Sequence, residues 1–107
     1  MTDQPAPAHS LETVWVIEAT YAPDAAETRV PLRGRHLARL ASLKAAGVVI
    51  EAGAYLDMSC SLLMVRAEDE AAAIDIARGD IYMQQGVWVE LRAKPFVHVV
   101  LDAEAGG

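Results

Sequence analysis

A histidine and an arginine stand one helical turn apart in a segment whose other regularly spaced residues are leucines. Pro31 suits the first turn of a helix, and Gly47 suits the left-handed stop after about Ala46. At roughly 100° per residue, Leu32, Leu43, Leu40 and Leu37 share an arc of about 140°. His36 falls between Leu43 and Leu40 inside that stripe, and Arg33 falls within the same arc. Two readings account for them. In one, a pocket opens where the helix begins. His36 serves there as a general acid or base near neutral pH, and Arg33 holds an anionic oxygen of a substrate. In the other, His36 is a core histidine with its hydrogen bonds satisfied, and Arg33 extends its charge to solvent.

Asp80 is the second candidate. It follows the stop at Gly79 and opens a short helical turn, where aspartate is a preferred N-cap. Capping and chemistry are compatible, because a carboxylate fixed by a cap can also orient a histidine. Tyr82, two residues on, would bring a hydroxyl near Asp80 or serve as a packing aromatic. Ser61, His36 and Asp80 assemble a triad on paper, but composition alone supplies such sets in most proteins. The three histidines lack metal-ligand spacing; His9 reads as solvated and His98 as an edge or interface residue. Gly34, Gly47 and Gly53 are isolated and form no phosphate loop. The single cysteine, Cys60, reads as a small residue in a strand; a nucleophilic role would need a base beside it.

The elements that must position these residues follow from pattern. Thr13–Thr20 is β-branched and aromatic and predicts a strand. Tyr21–Arg29 reads as a polar connection, followed by the helix just described. Val48–Leu56 predicts a second strand, with Gly53 as a sign of a bulge or close approach. Cys60–Arg66 predicts a third, paired with it as a hairpin. Asp69 caps an alanine-rich helix over Ala71–Arg78, one further turn covers Asp80–Gln85, and Val87–Leu101 is a last extended segment bent at Pro95. The order β-α-β-β-α-β is the ferredoxin-like plan, an α+β fold with both helices on one face of a four-stranded antiparallel sheet. Residues 1–12 and 102–107 read as tails around one domain over 13–101.

Composition narrows the partners. Of 107 residues, 53% are hydrophobic, and the strands are apolar at consecutive positions such as Trp15 with Val16 and Leu63 with Met64. A sheet with one wet face should alternate, so a second subunit is expected over the face the helices leave open. Nine basic residues face fifteen acidic ones for a net charge of −6. That argues against nucleic acid, which needs clustered cations, and against anionic lipid. The first dozen residues lack a secretory pattern, and no apolar run is long enough to span a bilayer. The expectation is a cytoplasmic protein.

The run Arg33-Gly34-Arg35-His36-Leu37-Ala38-Arg39-Leu40 resembles the R-x-x-H-L-x-x-L signature of the YciI-like (YCII-related) family. Ala52-Gly53 is similar to its A-G strand element, and Ser61 to its serine opening the third strand. Asp80-Ile81-Tyr82 with Gly86-Val87 resembles its D-P-Y…G-[VL] element, and Lys94-Pro95-Phe96 its closing [KR]-P-F. The order agrees over residues 13–100. Ile81 and Ala54 stand where the family commonly has prolines, and Tyr55–Ser59 is a shorter connection. The resemblance implies a dimeric ferredoxin-like α/β barrel that pairs through its sheet faces. It implies a site built on His36 and Asp80, with Arg33 and Ser61 as pocket neighbours and Tyr82 beside them. It also implies a lyase or isomerase working on a small anionic or hydroxylated molecule without metal or organic cofactor. A non-catalytic dimeric binding or accessory module, and a cofactor-free monooxygenase, are the alternatives.

Overall fold

The computed structural model describes residues 9–101. In chain order it comprises β1 (His9–Tyr21), α1 (Ala25–Thr28), a 3-10 turn (Val30–Leu32), α2 (Arg33–Ala45), β2 (Val49–Ala54), β3 (Cys60–Val65), α3 (Glu70–Arg78), α4 (Ile81–Gln84) and β4 (Trp88–Leu101). One sheet holds all four strands in the order β2-β3-β1-β4, every pair antiparallel. This is the α+β, ferredoxin-like arrangement expected from the pattern, with α2 and α3 on one face.

Side-chain alternation decides which face the helices cover. Ile17, Ala19 and Tyr21 of β1 and Ser61, Leu63 and Val65 of β3 point to the same side and are buried. Ala73 and Ala77 of α3 pack there without exposure, and Leu40 and Leu43 of α2 pack against the same cluster. Small residues on α3 let the helix lie close, so strand side chains such as Ile17 and Leu63 are fully enclosed. Each contributes roughly 1.5–3 kcal/mol by burial. The other face carries Val16, Leu62, Met64 and Phe96 around an apolar hollow, and no helix among the described residues covers it.

Two turns with the same hydrogen-bond pattern set the ends of the elements that matter. After α2, Val48 N–H reaches Leu43 O and Gly47 N–H reaches Lys44 O, with Gly47 at φ +80°. After α4, Val87 N–H reaches Tyr82 O and Gly86 N–H reaches Met83 O, with Gly86 at φ +78°. Both are Schellman stops, where only glycine adopts the positive φ without strain. The second turn delivers Trp88 into the sheet directly after Tyr82 has been placed.

Several elements differ from expectation. β1 begins at His9, taking four residues from the expected tail, because they pair with the end of β4 from His9↔Leu101 onward. The expected tails over 1–8 and 102–107 lie outside the described residues. The connection after β1 contains α1 and a 3-10 turn, with Pro31 in the turn rather than in α2. The irregularity in β2 falls between Val49 and Glu51, not at Gly53. β1–β4 pairing runs through Trp15↔Pro95 without a register shift. β4 is an edge strand, so the N–H that proline lacks need not bond a neighbour. Leu37 is half exposed, so the apolar stripe of α2 is narrower than its leucine spacing suggests.

Candidate active site

Asp80 is fully buried, and every bond it makes follows from its place between α3 and α4. As N-cap of α4 its Oδ1 accepts the Tyr82 N–H at 2.9 Å. The same oxygen accepts from His36 Nδ1 at 2.8 Å. Its Oδ2 faces Arg39 Nη1 at 3.4 Å. A buried carboxylate is tolerated only with such partners, and capping and histidine orientation are met by one group. Arg39 is anchored in turn, with Nη2 donating to Ile76 O at 2.8 Å. Gly79 makes room for it: a Cβ there would lie 2.8 Å from Nη2.

His36, 7% exposed, is held on three sides. Tyr82 stacks on its ring at 3.8 Å between centroids, 9° from parallel, and Trp88 meets it edge-on at 5.4 Å. A carboxylate can only accept, so the Nδ1 bonded to Asp80 carries the proton of a neutral imidazole. Nε2 is left with its lone pair. The ring lines a cavity of about 190 Å³, with room for a one-ring molecule or a few carbons.

The rest of that cavity is chemically mixed. Arg29 and Arg33 give it two cations in a chain of net negative charge, which favours an anion. Ser61 Oγ donates to Tyr21 OH at 2.8 Å, and both residues are buried wall residues. Burial, and then the neighbouring Tyr21, push the Tyr82 phenol above its ordinary value, so it stays protonated at neutral pH. Leu40, Leu63 and Ala52 supply apolar wall. Trp88 also lines the cavity, and its buried Nε1 has no acceptor among the described residues.

The structure brings His36, Asp80, Arg33, Ser61 and Tyr82 to one place. Of the two roles open to Tyr82, the structure shows the packing aromatic: its ring stacks on His36, and it meets Asp80 through its backbone N–H. Sequence reasoning missed Tyr21, Arg29, Arg39 and Trp88. Arg39 was within reach, since three residues after His36 is the neighbouring position on a helix. Tyr21 and Trp88 were not, because their pairing sits at the register shift after Thr20 that ends regular β1–β4 pairing. Cys60 is half buried on β3; burial and nearby Glu18 push its thiol upward, which keeps it protonated and a poor nucleophile. His98 bonds Glu12 at 3.1 Å, away from this cavity. Among the described residues no group of three or more His, Cys, Asp and Glu could hold a metal ion, and no helix is long and apolar enough to cross a membrane.

Fold and site together define a ferredoxin-like α+β domain with a buried histidine–aspartate pair opening on a small cavity of mixed polar and apolar lining. The chain belongs to the YCII-related domain family, which it matches over residues 13–97. It is 32% identical over 95 residues to an uncharacterized protein of Haemophilus influenzae, covering 79% of this chain and 97% of that one. Among solved structures it is similar to the 5-chloro-2-hydroxyhydroquinone dehydrochlorinase of Burkholderia phenoliruptrix in complex with 2,5-dihydroxybenzoquinone. The TM-score is 0.69 at 22% identity, over 79% of this chain and 94% of the other. At that identity the likeness is one of fold.

Proposed function

We propose that the chain is a small-molecule enzyme of lyase or isomerase type that needs no cofactor, with His36 moving a proton and Asp80 orienting it. The observation that carries this reading is the 2.8 Å bond from His36 Nδ1 to the buried Asp80, which leaves Nε2 as the ring's available base. Asp80 steadies the imidazolium that forms when Nε2 takes a proton, as the carboxylate of a hydrolase triad does. Arg33 and Arg29 favour an anionic or hydroxylated substrate, and the cavity volume limits it to about one ring. The dehydrochlorinase of the same fold makes polyhydroxylated, chlorinated rings the first compounds to try.

The test is release of chloride from 5-chloro-2-hydroxyhydroquinone, and turnover of a panel of related hydroxylated rings. On the compound that reacts, His36→Gln and Asp80→Asn are each expected to lower kcat by roughly 10²–10⁴-fold. Full activity in both variants would end the reading. A ligand that binds tightly and is recovered unchanged would favour the binding-module alternative, which uses the same cavity.

A second copy of the chain is the proposed cover for the open sheet face, where Val16, Leu62, Met64 and Phe96 surround an apolar hollow. Light scattering on the purified protein should give twice the chain mass.

A further inference from the structure

We propose that the Tyr82 hydroxyl is the site's oxyanion donor, giving a hydrogen bond to the substrate oxygen that gathers charge when His36 takes a proton. Tyr82 lines the same cavity as His36, and its ring is stacked on the imidazole with centroids 3.8 Å apart. Its backbone is engaged, the N–H on Asp80 and the carbonyl on Val87 N–H, but its hydroxyl bonds nothing among the described residues. Among those residues only Trp88 Nε1 is a side-chain polar atom both unpartnered and sealed. The Tyr82 oxygen is therefore open. Tyr82 is 2% exposed, so the small opening it has includes its hydroxyl, on the cavity it lines. The other phenol of the wall, Tyr21, is already bonded to Ser61 Oγ at 2.8 Å.

The surroundings say what this hydroxyl does. Burial and then Tyr21 push the phenol above its ordinary value, against the pull of Arg29 and Arg33, so at neutral pH it keeps its proton and donates. The two rings are 9° from parallel, so the hydroxyl and His36 Nε2 stand within the span of a one-ring molecule. Nε2 takes a proton from a carbon beside a carbonyl. The C–H electron pair becomes a C=C bond, and the carbonyl π pair moves onto oxygen. Tyr82 O–H meets that oxygen as a fixed donor in a buried wall, and Arg29 and Arg33 balance its charge. The imidazolium left behind lies over the face of the Tyr82 ring, which also favours it. The substrate class is then a carbonyl compound with an acidic neighbouring C–H, or a hydroxylated ring in its keto form. The inference rests on the proposed role of His36 as the base.

The experiment is a calorimetric titration of the full-length protein and of Tyr82→Phe with 2,5-dihydroxybenzoquinone, whose conjugated oxygens stand in for the charged oxygen of the step. Phenylalanine keeps the ring that stacks on His36 and removes only the hydroxyl. The expected result is a loss of probe affinity of about tenfold or more, the worth of one hydrogen bond to a charged oxygen. The ¹⁵N signals of the His36 ring in the free protein should stay where they are in wild type. Equal affinity in both proteins would overturn the assignment and leave the His36–Asp80 reading standing. A loss of affinity with displaced His36 signals in the free variant would assign the effect to ring packing and overturn the donor role. Absence of binding to wild type at millimolar probe would overturn it together with the proposed substrate class.

Discussion

Two histidine–carboxylate pairs among the described residues, His36 with Asp80 and His98 with Glu12, do different work. His36 bonds Asp80 at 2.8 Å with side chains 9% and 0% exposed; His98 bonds Glu12 at 3.1 Å with side chains 23% and 30% exposed. Each carboxylate also faces an arginine. Arg39 meets Asp80 at 3.4 Å, whereas Arg66 grips both oxygens of Glu12 at 2.7 and 3.0 Å. By contact alone the exposed cluster is the tighter one, and Arg66, helped by His98, holds the Glu12 carboxyl down at about 2. That cluster links the ends of β1, β3 and β4, and water can satisfy whatever it leaves unpaired. The buried pair has no such recourse. Its partners are built into the fold, and the nitrogen they leave over belongs to a ring that lines a cavity. Burial beside a cavity, rather than the quality of the ion pair, separates a candidate catalytic dyad from a strand fastening.

The comparison can be broken most directly through stability. Asp80→Ala removes the acceptor for His36, Arg39 and the α4 cap at once, and should destabilise by roughly 3–5 kcal/mol, as the loss of one partner of a buried pair does. Glu12→Ala should cost only a small fraction of that in the same urea titration. Equal losses would mean that burial does not distinguish the pairs.

A smaller effect concerns the arginine behind Asp80. Arg39→Met is expected to lose about 1–2 kcal/mol with its bonds to Asp80 and Ile76 O. Gly79→Ala tests the same contact from the other side. Gly79 has an ordinary helical φ of −74°, so alanine should stabilise it by about 0.4–1 kcal/mol through the unfolded chain. The new Cβ would lie 2.8 Å from Arg39 Nη2, so the guanidinium must shift and loosen its bond to Ile76 O, which offsets that gain. In the Arg39→Met background the alanine should become stabilising, and a double-mutant cycle reads the difference.

The smallest effect is a pH dependence. Glu12 has its folded value lowered from 4.5 to about 2, so its contribution is present above 4.5 and is lost as pH falls toward 2. Glu12→Gln should flatten that part of the stability profile and leave the neutral region nearly unchanged. A profile identical in shape to wild type would remove the strand-fastening role.

Much of this was legible in the residues. Element order follows from local pattern: the Asp69 cap bonds Ala72 N–H as its type predicts, and Gly47 and Gly86 stop helices at positive φ. His36 inside a leucine stripe and Asp80 after a glycine stop were visible for the same reason, since both are local anomalies. The walls of the cavity were not. Tyr21 and Trp88 come from strands whose ends meet only through long-range register, and Leu37 shows that helical spacing alone overstates a buried face. Nor does pattern distinguish His98 among valines from a ligand or interface residue, because its partner Glu12 is 86 positions away.

The central claim is that Asp80 fixes the tautomer of His36. It is tested most directly by ¹⁵N NMR of the His36 ring at mildly alkaline pH, in wild type and in Asp80→Asn. The account predicts a proton held on Nδ1, with a far-downfield ¹H signal, and a bare Nε2 in wild type. It predicts that this order is lost in Asp80→Asn. A proton on Nε2 in wild type, or a ring averaging freely between tautomers in both proteins, would contradict it.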